Sequence, residues 1–388
     1  MNVLFVTNAY HPIVGGVEKA AARLASELKK LDCEVEIVTA RNPFSLPPKE
    51  IIDGVPVYRL PYYVYRDSLK SAIATLIGMP IACGYLIRMA VKRKPCIVHV
   101  HFIYHNAVCV ELIRGVLKKQ GIPIVVTFHG GDAPNIPVVY SEKNPSESKI
   151  LDWAAARLIN GADALTAVSN SLKQSVVSKI PEGKGDIQVI HNGVDTDLFV
   201  PGEKVKERKA ILSIGRLSYA KGFDILFHSF YELAGKFPGW ELRVAGDGEL
   251  RASLENLVKS LNLQERVHFL GMLQTEDLIE EIHSAAFIAS ASRWEGFSLG
   301  ALEGLSCGKP LVTTDVEGSE EMVIEGITGR IVPKEDPAAL TEAMRNLMEK
   351  PETRQEMGRQ ARRFMLEHYT WDKVANKYLD LYSTLIRQ

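Results

Sequence analysis

Two carboxylates, Glu295 and Glu303, stand in the stretch Ser292 to Pro310, SRWEGFSLGALEGLSCGKP. They are eight positions apart, so on one continuous helix of about 3.6 residues per turn they would be about 80° out of phase and would not share a face. A helix that starts only near Ser298 changes this. Glu295 then sits in the mouth ahead of the helix, and Glu303 lies inside its second turn. Ser298 is a good N-cap, and Gly296 and Phe297 make a flexible approach. The first amides of a helix have no partner within it, so such a start attracts anions. One short stretch therefore offers N–H donors and two carboxylates, the combination required by a ligand that carries both phosphate and hydroxyls. A surface helix bearing ordinary solvated acids fits the same residues, and this stretch alone does not separate the two.

Cations at two other places bear on the choice. Arg216 follows Gly215 at a strand end, and Lys221 stands just before Gly222 at the start of the next helix. Two cations and a helix N-terminus can neutralise a diphosphate without a metal, and a departing diphosphate needs charge stabilisation, not a proton. Strand-end arginines and helix-start lysines are also commonly just solvated. Gly15 and Gly16 precede an amphipathic helix, Val17 to Lys30, which is the geometry of a phosphate cradle. The pair is not GxGxxG, however, and taken alone it is better accounted for by a plain tight turn. His129, followed by Gly130, Gly131 and Asp132, ends a strand where glycines would let a substrate approach the backbone. His99, His101 and His105 suggest a metal site, but their spacing leaves His105 in the loop beyond the other two, and no metal is expected. Asp195 and Asp197 form a DxD. They follow the turn signal Asn192-Gly193 and lead towards Pro201, so they read as acids in an exit turn.

The elements that must position these residues alternate along the whole chain. Asn2 to Thr7, CEVEIVTA, PVYRLP, CIVHVH, IPIVVTFHGGD, Ala164 to Ser169 and Ile187 to Ile190 read as strands of a first half. A charged linker, 201–209, separates them from a second series: AILSIGRL, WELRVAGDGE, RVHFLGML, AAFIASAS, KPLVTTDV and RIVP. Strands alternating with helices mean parallel sheets. The expected architecture is α/β, two Rossmann-like doubly wound domains facing across a cleft. Residues 1–200 form the first domain and 201–370 the second, and a last helix, 371–388, packs back on the first. The segment 62–94 is unusual in this half. Ser71 to Ile87 is without charge, and Arg66, Lys70, Arg88, Lys92, Arg93 and Lys94 flank it. Gly78, Pro80 and Gly84 interrupt the run, which is short for a membrane span. One or two helices packed on the sheet with a basic rim are expected, and a shallow membrane-facing patch is the functional alternative.

Bulk properties narrow the class. The chain has 388 residues, too many for one ordinary core, and a formal net charge of −1. Lysines and arginines number 22 against 18 acids in residues 1–200, and 24 against 29 in 201–388. Neither half carries the basic excess that a nucleic-acid partner demands. Five cysteines, Cys33, Cys83, Cys96, Cys109 and Cys307, show no CxxC spacing and read as thiols of a reducing compartment. The opening MNVLFVTNAY reads as a strand and not a signal peptide. A cytoplasmic protein is expected, with the inner face of the cell membrane open to it.

In this order, GGVE (15–18), FHGGD (128–132), VSNSLK (168–173), HNGVDTDLF (191–199), IGRLSYAKGFD (214–224), VAGDGEL (244–250) and EGFSLGALE (295–303) make the chain resemble the retaining glycosyltransferases of family 4. That resemblance implies the arrangement called GT-B, an acceptor-binding first domain and a nucleotide-sugar-binding second. It implies that Arg216 and Lys221 bind the donor diphosphate, with the Gly16 amide nearby and the amides of Phe297, Ser298 and Leu299 facing the phosphate. Glu303 would hold ribose hydroxyls and Glu295 the donor sugar, while His129 would stand beside the anomeric centre. Backbone at Gly271, Met272 and Leu273 would meet the base. The implied reaction moves a hexose from a UDP- or GDP-sugar to a sugar, lipid-linked or other hydroxyl acceptor. It proceeds with retention by a front-face route that needs no metal, no cofactor and no protein nucleophile. A non-hydrolysing sugar-nucleotide epimerase and a non-catalytic sugar-nucleotide-binding protein share the architecture and stay open at this point.

Overall fold

The computed structural model describes residues 1–12, 15–43, 45–61, 69–103, 105–130, 145–178, 186–202 and 205–387, with backbone alone at 69–76 and 145–150. Gly131, Asp132 and the start of the 62–94 segment lie outside the described residues. The chain divides into two compact units, Met1–His191 with Trp371–Gln388, and Asn192–Thr370. Both are parallel-sheet α/β structures.

The first unit holds eight strands: β1 Asn2–Val6, β2 Glu34–Ala40, β3 Lys49–Ile52, β4 Val55–Leu60, β5 Ile97–His101, β6 Ile124–Phe128, β7 Ala164–Ala167 and β8 Ile187–Val189. Their order is β3-β4-β2-β1-β5-β6-β7-β8. All neighbours pair in parallel except β3 and β4, a hairpin closed by Asp53 and Gly54 at φ 49° and 75°. Strands β5 and β6 are buried at every residue, as strands covered by helices on both faces must be. The helix Gly16–Lys30 turns Ala20, Ala21, Leu24, Ala25 and Leu28 inward, one stripe at helical spacing. Leu69–Arg93 is one helix with Pro80 inside it. Among the described residues no helix is long and apolar enough to cross a membrane. The C-terminal helix, Trp371–Ile386, packs against Gly16–Lys30 and buries Tyr378 and Tyr382. All five cysteines are free thiols.

The second unit has six strands: β9 Ala210–Ile214, β10 Glu241–Ala245, β11 Val267–Gly271, β12 Phe287–Ser290, β13 Leu311–Thr314 and β14 Gly329–Val332. They run all parallel in the order β11-β10-β9-β12-β13-β14. This is the Rossmann order, whose direction of travel reverses between its first and fourth strands, here β9 and β12. Phe223, Phe227, Phe230, Trp240 and Phe287 fill the core beneath this sheet. Asn192–Val200, placed by sequence with the first domain, packs with the second unit: Val194 bridges Thr370, and the Phe199 carbonyl accepts from Ser306 and Arg362. The turn signal Asn192-Gly193 therefore marks the boundary itself.

The helix Pro351–His368 passes so close to the end of Leu299–Ser306 that a methyl group on Gly358 would lie 2.0 Å from the Gly308 carbonyl oxygen. Gly358→Ala should lower the stability of the second unit by about 1–3 kcal/mol. Gly115→Ala, on an exposed helical turn with nothing within 4 Å, should raise that of the first by up to about 1 kcal/mol. Urea unfolding midpoints of the two variants test the contrast.

Candidate active site

The carboxyl edge of the second sheet collects charge at the point where the strand order reverses. After β9 come Gly215 and Arg216, then a single 3-10 turn, Tyr219–Lys221, and the helix Phe223–Ala234. The turn enters that helix through Gly222 at φ 59°, where a Cβ would lie 2.0 Å from the Ala291 carbonyl oxygen. Only glycine fits there, and its presence lets the turn press against the loop after β12. Arg216 is exposed at this edge. Lys221 Nζ is ion-paired with the Glu295 carboxylate, and each side chain is about one-fifth exposed, at 20% and 19%.

Glu295 does sit in the mouth ahead of a helix. Ser298 is the N-cap of Leu299–Ser306, its Oγ accepting from the Ala301 amide at 3.4 Å. The helix lies flat on the sheet because Gly304 has no side chain to hold it off Ile288; a Cβ there would come within 2.5 Å. Phe297 is buried, its ring 5.5 Å from that of Tyr369 and its carbonyl accepting from Asn192. Glu303 is buried in the second turn. Burial, then the Glu303 charge, pushes the Cys307 thiol up to about 12. The two carboxylates thus occupy different surroundings, one mated to a lysine and one enclosed by its helix. Gly271 ends β11 at φ 70° and accepts from the Gly246 amide at 2.8 Å, and Met272 beyond it is 62% exposed. Leu273 follows in the same loop. Asp195 Oδ1 accepts from the Leu198 amide at 3.1 Å, so the first DxD acid is occupied in closing its own turn. Among the described residues no three His, Cys, Asp or Glu side chains are placed to hold a metal ion.

Gly16 and His129 belong to the first unit. Gly16 is the first residue of its helix, preceded by an extended Gly15 without a side-chain cap. His129 follows β6 as the outermost member of a buried histidine row. His99 is held between two hydroxyls, Nδ1 at 2.6 Å from Tyr382 and Nε2 at 2.6 Å from Thr127. Thr127 in turn contacts the hydroxyls of Thr166 at 2.6 Å and Tyr378 at 3.1 Å. The His101 ring stacks on His99 at 4.0 Å, and its Nδ1 lies 3.2 Å from His129 Nε2. His101 Nε2 is buried without a hydrogen-bond partner among the described residues. A proton there would be an unsatisfied buried donor, so the cheaper tautomer carries it on Nδ1 and donates it to His129. His105, third in the HxHxxxH spacing, opens the helix His105–Lys119. Sequence reasoning missed Tyr378 and Tyr382, since nothing local ties them to a strand more than 250 residues earlier.

Two Rossmann-type parallel sheets, the second with a Ser298-capped helix and a lysine–carboxylate pair at its carboxyl edge, make the fold of the GT-B transferases. The profile described as Glycosyltransferase Family 4 matches residues 14–198, and that of Glycosyl transferases group 1 matches 195–364. The D-inositol 3-phosphate glycosyltransferase of Corynebacterium efficiens is 30% identical over 394 residues, 95% of this chain and 90% of the relative. The chain belongs to glycosyltransferase family 4. Among solved structures, sucrose-phosphate synthase from Thermosynechococcus elongatus superposes with a TM-score of 0.82 at 20% identity, over 100% of this chain and 99% of that one. Anabaena HepE in complex with UDP-glucose gives 0.76 at 17% identity, over 99% and 100%.

Burial lowers the pKa of all three histidines, that of His129 to about 3; the residue keeps some exposed surface while its ring is enclosed. The folded chain therefore holds them neutral, whereas the unfolded chain protonates them below about pH 6.5. The unfolded state binds more protons in that window, so stability falls as pH drops below 6.5, by about 1.4 kcal/mol per pH unit for each histidine. Urea midpoints of the first unit at pH 7.5, 6.5 and 5.5 should stay level over the first step and fall over the second.

Proposed function

We propose that the chain transfers a hexosyl group, with retention, from a UDP- or GDP-sugar to a hydroxyl acceptor. The observation that carries this reading is the Lys221–Glu295 pair beside the start of Leu299–Ser306, with Arg216 at the same edge. A diphosphate there would meet Arg216, Lys221 and the amides of Phe297, Ser298 and Leu299. Those groups balance the charge that develops as the C1–O bond to the phosphate breaks. Glu295, released by Lys221, would grip the sugar hydroxyls and Glu303 the ribose, with the base against Gly271, Met272 and Leu273. The acceptor oxygen forms the new bond to C1 on the same face, and its proton passes to the departing phosphate oxygen. No protein nucleophile and no metal enter. Residues 1–191 with 371–388 would present the acceptor and 192–370 the donor. A neutral His129, whose Nε2 accepts from His101, would offer its other ring nitrogen as an N–H donor to a sugar hydroxyl, and Gly16 would offer its amide to a phosphate oxygen.

The exposed line of Leu69–Arg93 favours an acceptor held at a membrane. Ile77, Ile81 and Val91 are 62%, 56% and 44% exposed, and Arg88 and Lys92 stand on the same side. An apolar stripe with a basic end suits an anionic lipid surface, which in a cytoplasmic protein is the inner face of the membrane. HepE, which is bound to UDP-glucose in its structure, supports testing UDP-sugars first.

A thermal-shift panel of UDP, GDP and ADP and their sugars identifies the donor, since a ligand bound by the native state raises its stability. The anomeric configuration of the product then tests retention. Full activity in EDTA is expected; strong inhibition would restore a role to Asp195 and Asp197. Lys221→Met should weaken nucleoside diphosphate binding about 10- to 100-fold, the worth of a charge-assisted hydrogen bond. Glu295→Gln should lower kcat/KM about 100-fold or more while leaving diphosphate affinity unchanged or tighter, because it frees Lys221 from its carboxylate. Equal activity in the Glu295 variant would sink the site. Ile81→Glu with Arg88→Glu should abolish sedimentation with phosphatidylglycerol-rich vesicles, and wild-type chain left in the supernatant would exclude the membrane contact.

A further inference from the structure

Arg293 stands two residues before Glu295, and the donor-site reading assigns it nothing. Its side chain is only 9% exposed. Nη1 and Nη2 donate to the two carboxylate oxygens of Asp224 at 2.9 and 2.7 Å, and Nε donates to Glu335 at 2.6 Å. Nη1 also donates to the Tyr219 carbonyl at 3.0 Å, and the guanidinium lies over the Tyr219 ring, 4.0 Å from its centre. The backbone adds a further tie, the Arg293 amide donating to the Ala220 carbonyl at 2.7 Å. Tyr219 and Ala220 immediately precede Lys221, and Asp224 lies in the first turn of the helix that follows it. The loops after β9, β12 and β14 thus converge on one side chain.

We propose that Arg293 is a positioning residue that holds the loop bearing Glu295 to the turn bearing Lys221, and so sets the spacing with which the two grip a nucleoside diphosphate sugar. The proposal rests on the donor-site reading above. Arginine suits the task because its planar fork engages a carboxylate with two parallel bonds, stacks on an aromatic face and still has a donor for a second acid. A lysine at the same place would keep the charge but fill only one of these contacts. The grip is mutual, since the guanidinium draws the Asp224 pKa down while the two acids push that of Arg293 up. Glu335 holds a left-handed φ of 59°, a conformation that non-glycine residues keep only where their surroundings fix it.

The test is a double-mutant cycle on nucleotide affinity, measured by calorimetry with whichever of UDP and GDP the wild-type chain binds. Arg293→Lys should weaken binding about tenfold and lower kcat/KM for the donor about 10- to 100-fold, the cost of misplacing a gripping group by about 1 Å. Its melting temperature should stay within about 3 °C of wild type. In a Lys221→Met background the same change should alter affinity by less than about twofold, because the clamp acts through Lys221. Wild-type affinity in Arg293→Lys, or losses that multiply in the double variant, would overturn the proposal. Should Arg293→Lys fail to fold, Asp224→Asn and Glu335→Gln remove one arm each. They should weaken binding about three- to tenfold with Lys221 present and by less than twofold without it. A wild-type chain that binds neither nucleotide and transfers no sugar shows instead that the donor-site reading is wrong, and the clamp falls with it.

Discussion

A lysine and a glutamate that meet with four-fifths of each side chain out of water set the terms for the rest of the second unit. Such a pair gains Coulomb energy and loses solvation, and the two nearly cancel. Its value to the fold is therefore small, which leaves it available to the ligand proposed above. In the proposed donor site an incoming diphosphate would replace one carboxylate by two or more phosphate oxygens as the partner of Lys221, and the displaced carboxylate would be left beside the hydroxyls that the same ligand brings. The ion pair keeps both groups in place without an unpaired buried charge.

Holding such a pair requires backbone to approach backbone more closely than side chains allow. Gly222 gives the turn after β9 contact with the Ala291 carbonyl, and Gly304 lets the helix that begins at Leu299 rest on Ile288. The parallel sheet contributes by bringing the ends of β9 and β12 side by side. The first unit repeats the strand–helix alternation but arms its edge differently. There His99, His101 and His129 are neutral, linked to the hydroxyls of Thr127, Thr166, Tyr378 and Tyr382. One edge thus carries an ion pair and an exposed arginine, and the other a buried row of neutral groups bonded to one another.

The alternation that specifies two parallel sheets was legible because it is local: an apolar run, a turn, an amphipathic stripe. The helix start at Ser298 was legible for the same reason, since a cap acts within three residues. The hairpin strand Lys49–Ile52 was not, because its exposed edge carries a lysine and a glutamate and lacks the apolar run of its neighbours. Whether one helix or two run through Pro80 was left open; packing against the next helix and β4 outweighs what proline costs locally, and one helix results. The domain boundary at Asn192 was missed because Val194 and Phe199 find their partners near residues 306 and 370, far along the chain.

The same limit explains why Arg293 escaped notice while Glu295, two residues on, did not. A carboxylate before a helix start has a meaning that its neighbours supply. An arginine in a loop has none until its partners are known, and Asp224 and Glu335 lie 69 and 42 residues away. Charge pairing is set by topology, and only the finished sheet brings the loops after β9, β12 and β14 to one edge. Motif strings such as KGFD and SRWEGF therefore encode two kinds of information. Part of each string shapes the local backbone, and the remainder, Asp224 in one and Arg293 in the other, joins the two strings to each other.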